Sequence, residues 1–211
     1  MIEFYTWFTP NGRKVAILLE ELGIEYNTHS VNIGKDEQFD PEFLKISPNN
    51  KIPAILDTDN NYPLFETGAI LLYLAEKHGK FLNTKDRDAY WRTMEWLMWQ
   101  MGGFGPILGQ VHHFTKYNPG KSDYAQERYE TEARRLYRVL NERLEGREFI
   151  VDDYSIADMA CWPWAARHNW QEIDLNGYPN VRRWYMTMLD RPAVQRAWNI
   201  PENDQPLPIP E

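Results

Sequence analysis

Over the first eighty residues short apolar runs alternate with helical stripes; after that only helical stripes remain. Residues 2–8 (IEFYTWF) are apolar and aromatic and read as a strand, and residues 14–22 (KVAILLEEL) read as a helix. Between them Thr9-Pro10-Asn11-Gly12-Arg13 makes a tight strand-to-helix turn. Such a turn leaves backbone N–H groups unpaired at the helix start, where the macrodipole adds partial positive charge. With Thr and Asn side chains present, it is suited to a small anion. The competing reading is that Thr9 and Asn11 only cap the helix.

Residues 25–32 are rich in β-formers and predict a second strand, so the opening segment is a βαβ unit with a parallel pair. Asp40 and Pro41 open a short helix over 40–45. Residues 52–57 and 62–65 are short strands joined by the turn-forming 57–61, which makes a hairpin. A helix over 67–78 carries Ile70, Leu71, Leu74 and Ala75 on one face and ends at Gly79. From about residue 84 the pattern is helical throughout. Residues 89–101 hold Trp91, Trp96 and Trp99, and the run from Gly102 to Pro106 is expected to break or kink that helix. Ser122 caps a long helix that Gly146 ends. Ser155-Ile156-Ala157-Asp158 has the form of a capping box opening a helix to about Asn169, and Pro179 opens another to about Leu189. The expected division is 1–81, 87–200 and a Pro-rich tail, 201–211, extended on the surface or mobile.

Composition narrows the function. The chain has 211 residues, 43% hydrophobic and 14% aromatic with nine Trp, which fits one large or two small domains with an aromatic-rich interior. Net charge is −8 with no long basic run, which argues against a nucleic-acid partner. No apolar run approaches a membrane span and no signal-peptide pattern opens the chain, so a cytoplasmic, reducing setting is expected. Cys161 is the single cysteine, which rules out an intramolecular disulfide, a CxxC pair or a multi-cysteine metal site. It is expected to be a small buried hydrophobe. His112 and His113 are adjacent and diverge on a helix, so they fit the wall of a cleft or a helix cap better than a metal site. The Trp residues at 91, 96, 99, 162 and 164 are expected in the core and cleft wall.

A βαβ–ββα unit followed by a helical domain resembles the glutathione transferase superfamily. Specific segments carry the resemblance: residues 47–53 (SPNNKIP), 64–70 (LFETGAI) and 155–158 (SIAD). Residues 9–12 (TPNG) with Gln38, and Gly109-Gln110 ahead of His112-His113-Phe114, resemble the nu-class bacterial transferases. These are glutathione-dependent disulfide-bond oxidoreductases related to the fungal Ure2 proteins. The resemblance implies a thioredoxin-like N-terminal domain, an all-α C-terminal domain, a homodimer, and two glutathione molecules or one glutathione disulfide per site.

It also implies residue roles. Glu66 and Thr67, where a strand ends and a helix begins, would hold the γ-glutamyl end; otherwise they are simply cap and first-turn residues. Ile52, before a cis Pro53, would pair its backbone with the tripeptide; a trans bond is the ordinary alternative. Gln38 and Lys51 would hold the glycine carboxylate, and Arg128 would reach a bound glutathione across a dimer interface. Thr9 and Asn11 would face the sulfur and favour its thiolate. The turn holds no cysteine, so disulfide chemistry would use glutathione's own thiolate, with a second glutathione resolving the mixed disulfide. Two alternatives stay open: conjugation or peroxide reduction by the same thiolate, and a glutathione-binding regulatory protein.

Overall fold

Ile2, Phe4 and Thr6 are buried while Glu3 and Tyr5 are half-buried, the two-residue alternation of a strand, and Ile2–Thr6 forms β1. The protein is described here by a computed structural model over residues 1–210. α1 spans Pro10–Leu22, four residues earlier than the hydrophobic stripe predicts. The segment read as a turn is the helix's own first turn, with Thr9 as N-cap and Pro10 in the position its fixed φ suits. Gly23, at φ 65, closes α1 with its N–H on the Leu19 carbonyl at 3.1 Å.

β2 (Tyr26–Ser30) lies parallel to β1, and α2 (Pro41–Leu44) begins at Asp40, whose carboxylate accepts from the Glu42 N–H at 2.8 Å. β3 (Ala54–Asp57) and β4 (Tyr62–Phe65) form the expected hairpin and complete a mixed sheet in the order β2-β1-β3-β4. β3 starts at Ala54 rather than at residue 52, in keeping with the missing N–H of Pro53. α3 (Thr67–His78) buries Ile70, Leu71, Leu74 and Ala75 and packs on α1. Val31, Phe43 and Ala54 form a further apolar cluster, flanked by Tyr5, Ile46, Ile52 and Phe65.

A further helix, α9 (Pro192–Trp198), packs on α1 through buried Ala193, Val194, Ala197 and Trp198. Arg191 pairs with Glu21 at 2.6 Å and Arg196 with Glu20 at 2.5 Å. Residues 191–207 therefore group with residues 1–82 in the first compact unit, where the sequence division assigned 87–200 to a single helical domain. The Pro-rich segment has no regular secondary structure after Pro201, but it is fastened by hydrogen bonds from Trp198 and Asn203.

The second unit is helical over Asn83–Asp190 and also includes residues 208–210. Regular α4 (Arg87–Trp99) ends just before the glycines expected to break or kink it. The chain continues through a π-helical turn, Gln100–Phe104, into α5 (Gly105–His112) and a second π turn, His113–Tyr117. Pro106, which has no N–H to donate to the preceding turn, stands just after the first π turn. α6 (Asp123–Arg143) starts at Ser122, α7 (Ile156–Ala165) at Ser155 and α8 (Pro179–Leu189) at Pro179, as the caps predict. α7 is shorter than read, because a 3₁₀ turn, His168–Gln171, replaces its last turn. Its capping box is complete: buried Asp158 accepts from the Ser155 and Ile150 N–H groups and from Trp184 Nε1. Cys161 and Trp162 are fully buried, but Trp91 is 58% exposed and lies outside the core.

At the far end of β3, buried Asp57 accepts from Lys77 at 2.5 Å and Tyr73 at 2.6 Å. Burial alone would raise its pKa; the bonds from Lys77, Tyr73 and the Asp59 N–H outweigh it and the net shift is downward. Asp59 is held at about 2, first of all by Lys77. A depressed carboxylate pKa contributes stability above the unfolded value of about 4 and loses it as pH falls through the folded value. Thermal unfolding should therefore show a midpoint that drops between about pH 5 and pH 2, and Lys77→Met should flatten that slope.

Candidate functional site

Sheet register brings several chain segments to one end of the first unit. Ala54, the first residue of β3, lies opposite Tyr5 near the C-terminal end of β1 and opposite Phe65 at the C-terminal end of β4. Pro53 precedes Ala54, Glu66 follows Phe65, and Thr9 follows Thr6 by three residues. β2 runs parallel to β1 and ends at the same edge, with Ser30 opposite Thr6. The starts of α1 and α3 and the loop before β3 therefore emerge together.

At the start of α1, the Thr9 hydroxyl accepts from the Gly12 N–H at 3.1 Å, and the Thr9 carbonyl accepts from the Arg13 N–H at 3.0 Å. Capping uses one lone pair of this hydroxyl and leaves its O–H proton as a donor. A hydroxyl that accepts from a helix N–H is polarised in the sense that strengthens its own donation. Asn11, half-buried in the same turn, carries an amide donor. Arg13 and Lys14, 1% and 2% exposed, bury two cationic side chains in the first five residues of the helix. The turn is pressed on the end of β1: a Cβ at Gly12 would stand 2.3 Å from the Trp7 carbonyl oxygen and 2.4 Å from Thr6 Oγ1.

The Ile52–Pro53 peptide is cis. The loop before it is held by Ser47, fully buried, whose hydroxyl donates to the Lys51 carbonyl at 2.8 Å. Nothing in the Ser47-Pro48 pair itself signals that Ser47 is buried. Glu66, at φ 72 and ψ 118, occupies a backbone region that side chains rarely adopt. It sits at the N-cap of α3, yet its carboxylate makes no capping hydrogen bond and is exposed. Glu66 and Thr67 thus stand at the cap and first-turn positions of α3, with Thr67 buried as the helix's first residue and the Glu66 carboxylate left outside the cap.

Lys51 lies in the loop before β3, and Gln38 in a 3₁₀ turn, Glu37–Phe39, between β2 and α2. Lys51 is exposed; Gln38 is half-buried, its amide 3.4 Å from Asp36 and its carbonyl oxygen buried without a partner among the described residues. Arg128 lies in the second unit, exposed on α6, and lines a cavity of about 490 Å³ with Ile107, Tyr124, Tyr129 and Glu132. His112 is buried between Trp164 and Trp170 with Gln171 at 3.2 Å; burial first, then Arg167 and Lys116, push its pKa down to about 4. His113 is exposed against Phe114. No group of three His, Cys, Asp or Glu is arranged for a metal among the described residues, and none of their helices is long and apolar enough to cross a membrane.

Known proteins share this organisation. The family model for the glutathione S-transferase N-terminal domain matches residues 1–76, and that for the C-terminal domain matches residues 104–192. Disulfide-bond oxidoreductase YfcG of Escherichia coli (strain K12) is 52% identical over 205 residues, covering 93% of this chain and 94% of its own length. Disulfide-bond oxidoreductase YghU of the same organism is 40% identical over 222 residues, covering 98% and 77%. A crystal structure of a glutathione transferase from Pseudomonas putida, with one glutathione disulfide bound per subunit, superposes with a TM-score of 0.89. It is 43% identical and the match covers 95% of this chain and 91% of that one.

The Gly12 contact gives a direct test of how tightly the first turn is set. Its nearest neighbour is backbone, which cannot swing aside, so Gly12→Ala should cost about 1–3 kcal/mol in denaturant unfolding. An unchanged midpoint would mean that the turn can lift off β1.

Proposed function

The chain belongs to the glutathione S-transferase family, and on that premise we propose that it is a glutathione-dependent disulfide-bond reductase whose reactive sulfur is glutathione's own. The observation that carries this reading is the start of α1: a Thr hydroxyl occupies the cap, ready to donate, and the chain's single cysteine, Cys161, is fully buried in the second unit. Glutathione supplies the attacking thiolate, and two glutathione molecules leave as glutathione disulfide for each substrate disulfide reduced to two thiols.

The chain's task is to make that thiolate available at neutral pH. A free thiol has a pKa of about 8.5, and lowering it by one unit corresponds to about 1.4 kcal/mol of preference for the anion. The Thr9 hydroxyl, the Asn11 amide and the N-terminal end of α1 all favour the charged form. A shift toward neutrality is more useful than a larger one, because nucleophilicity falls as the pKa falls.

The donor chemistry at the sheet edge fits the rest of the tripeptide. Glu66, free of capping duty, pairs with the α-ammonium, while Thr67 and the start of α3 take the adjoining carboxylate. Ile52, before the cis Pro53, offers backbone N–H and C=O to the peptide as a short added strand would. Gln38 and Lys51 hold the glycine carboxylate by an amide and a charge. Arg128 reaches the glutathione of the partner subunit in a homodimer. The cytoplasm supplies the reduced glutathione.

The purified protein should turn over with glutathione and a small disulfide faster than with an electrophilic aromatic chloride or an organic hydroperoxide. Faster turnover with either of those would favour the conjugating or peroxidatic alternative; binding without turnover would favour a regulatory protein. Thr9→Ala should lower reductase turnover on the order of 10- to 100-fold, as loss of a hydrogen bond to a charged group does, while costing about 1 kcal/mol of stability as a lost cap. Unchanged turnover removes Thr9 from the mechanism.

A further inference from the structure

We propose that Arg13 is a positioning residue for the thiolate site, and that residues 198–206 form the clamp through which it acts. This rests on the reading that the first turn of α1 faces the glutathione sulfur. Arg13 is only 1% exposed, although Arg is among the residues least often fully buried. Its guanidinium carbon lies 3.4 Å from the centroid of the Trp198 ring. Nε and one terminal nitrogen approach the Trp198 carbonyl at 3.4 and 3.3 Å, and that same terminal nitrogen donates to Gln205 Oε1 at 2.9 Å.

The clamp is itself fixed. Trp198 Nε1 donates to the carbonyls of Gln205 at 3.2 Å and Pro206 at 2.9 Å. Asn203 ties its amide to the carbonyls of Trp198 and Pro201 and accepts from the Gln205 N–H at 3.1 Å. α9, which leads into the clamp, is bolted to α1 by the Arg191–Glu21 and Arg196–Glu20 pairs.

Burying a guanidinium is costly unless its donors are met, and an apolar side chain would cover Trp198 without that cost. What a guanidinium adds is direction: a stacked, forked group allows one placement of the residue that carries it. That residue also donates its backbone N–H to the Thr9 carbonyl, the first rung of α1. The clamp and the cap thus act on the same turn, one from Arg13 and one from Thr9. With the clamp loosened, the turn keeps its cap but loses its fixed orientation, and the Thr9 and Asn11 donors align less well with a thiolate.

The test uses Gln205→Ala, which removes one acceptor and leaves Arg13 in place, and Gln205→Glu, which restores an acceptor. Two readouts are taken: hydrogen exchange of the Gly12 and Arg13 amides in the ligand-free protein, and the pH profile of kcat/KM for glutathione. Gln205→Ala should speed exchange at these two amides about tenfold over the remainder of α1. It should also move the acid limb of the profile up by about half a pH unit, because a less well aligned thiolate is harder to form. Gln205→Glu should restore the protection. Unchanged exchange at Gly12 and Arg13 in Gln205→Ala, or a general rise with the pH profile fixed, would overturn the proposal. If the wild-type protein bound no glutathione, the functional reading would fail, and the exchange experiment would still decide the clamp.

Discussion

The first turn of α1 lies so close to the end of β1 that residue 12 has no room for a Cβ. That contact fixes where the helix begins, and with it the position of the Thr9 hydroxyl, the Asn11 amide and the positive end of the helix dipole. The remainder of the first unit reinforces the same arrangement. α3 and α9 pack along α1, and the hairpin of β3 and β4 delivers the cis Pro53 loop and the start of α3 to the same sheet edge. A site assembled from helix starts and loop backbone depends on such rigidity, since small displacements of a donor weaken its bond sharply.

Two features of this edge are costly to folding and suited to binding. Glu66 holds a backbone conformation worth about 1–3 kcal/mol of strain, yet its side chain does not cap the helix it precedes. Arg13 is buried where an apolar residue would suffice for packing. Departures of this kind gather at functional sites, where local preference gives way to the geometry a ligand needs. In the proposed reaction they serve one end: a protein with no cysteine at its helix start holds a borrowed sulfur as an anion.

Much of this was legible in the chain because caps and turn residues act locally. Asp40-Pro41, Ser122, the Ser155–Asp158 box and Gly79 each mark the element end that the structure has. The apolar stripe of α1 showed the helix but not its first turn, since Pro10, Asn11 and Gly12 carry no hydrophobic period. Contacts across long sequence separation were not legible. Nothing local tells that Arg13 meets Trp198 and Gln205, that Ser47 anchors Lys51, or that Trp91 faces solvent. The glycines after residue 101 predict a break or a kink, but not that the interruption is a π turn, which has no simple sequence signature. α9 could have been found: Pro192 opens it, and Ala193, Val194, Ala197 and Trp198 form a stripe at helical spacing.

In the proposed reaction the reactive sulfur belongs to glutathione and not to the protein. Cys161→Ala leaves the chain without any thiol, at a fully buried position in the second unit where the loss of one sulfur is a small change of volume. Disulfide reductase kcat/KM with glutathione should then stay within about twofold of wild type, since burial keeps such a thiol inert. Loss of turnover in a variant that unfolds at the wild-type temperature would contradict the account, because it would assign the chemistry to the protein's own cysteine.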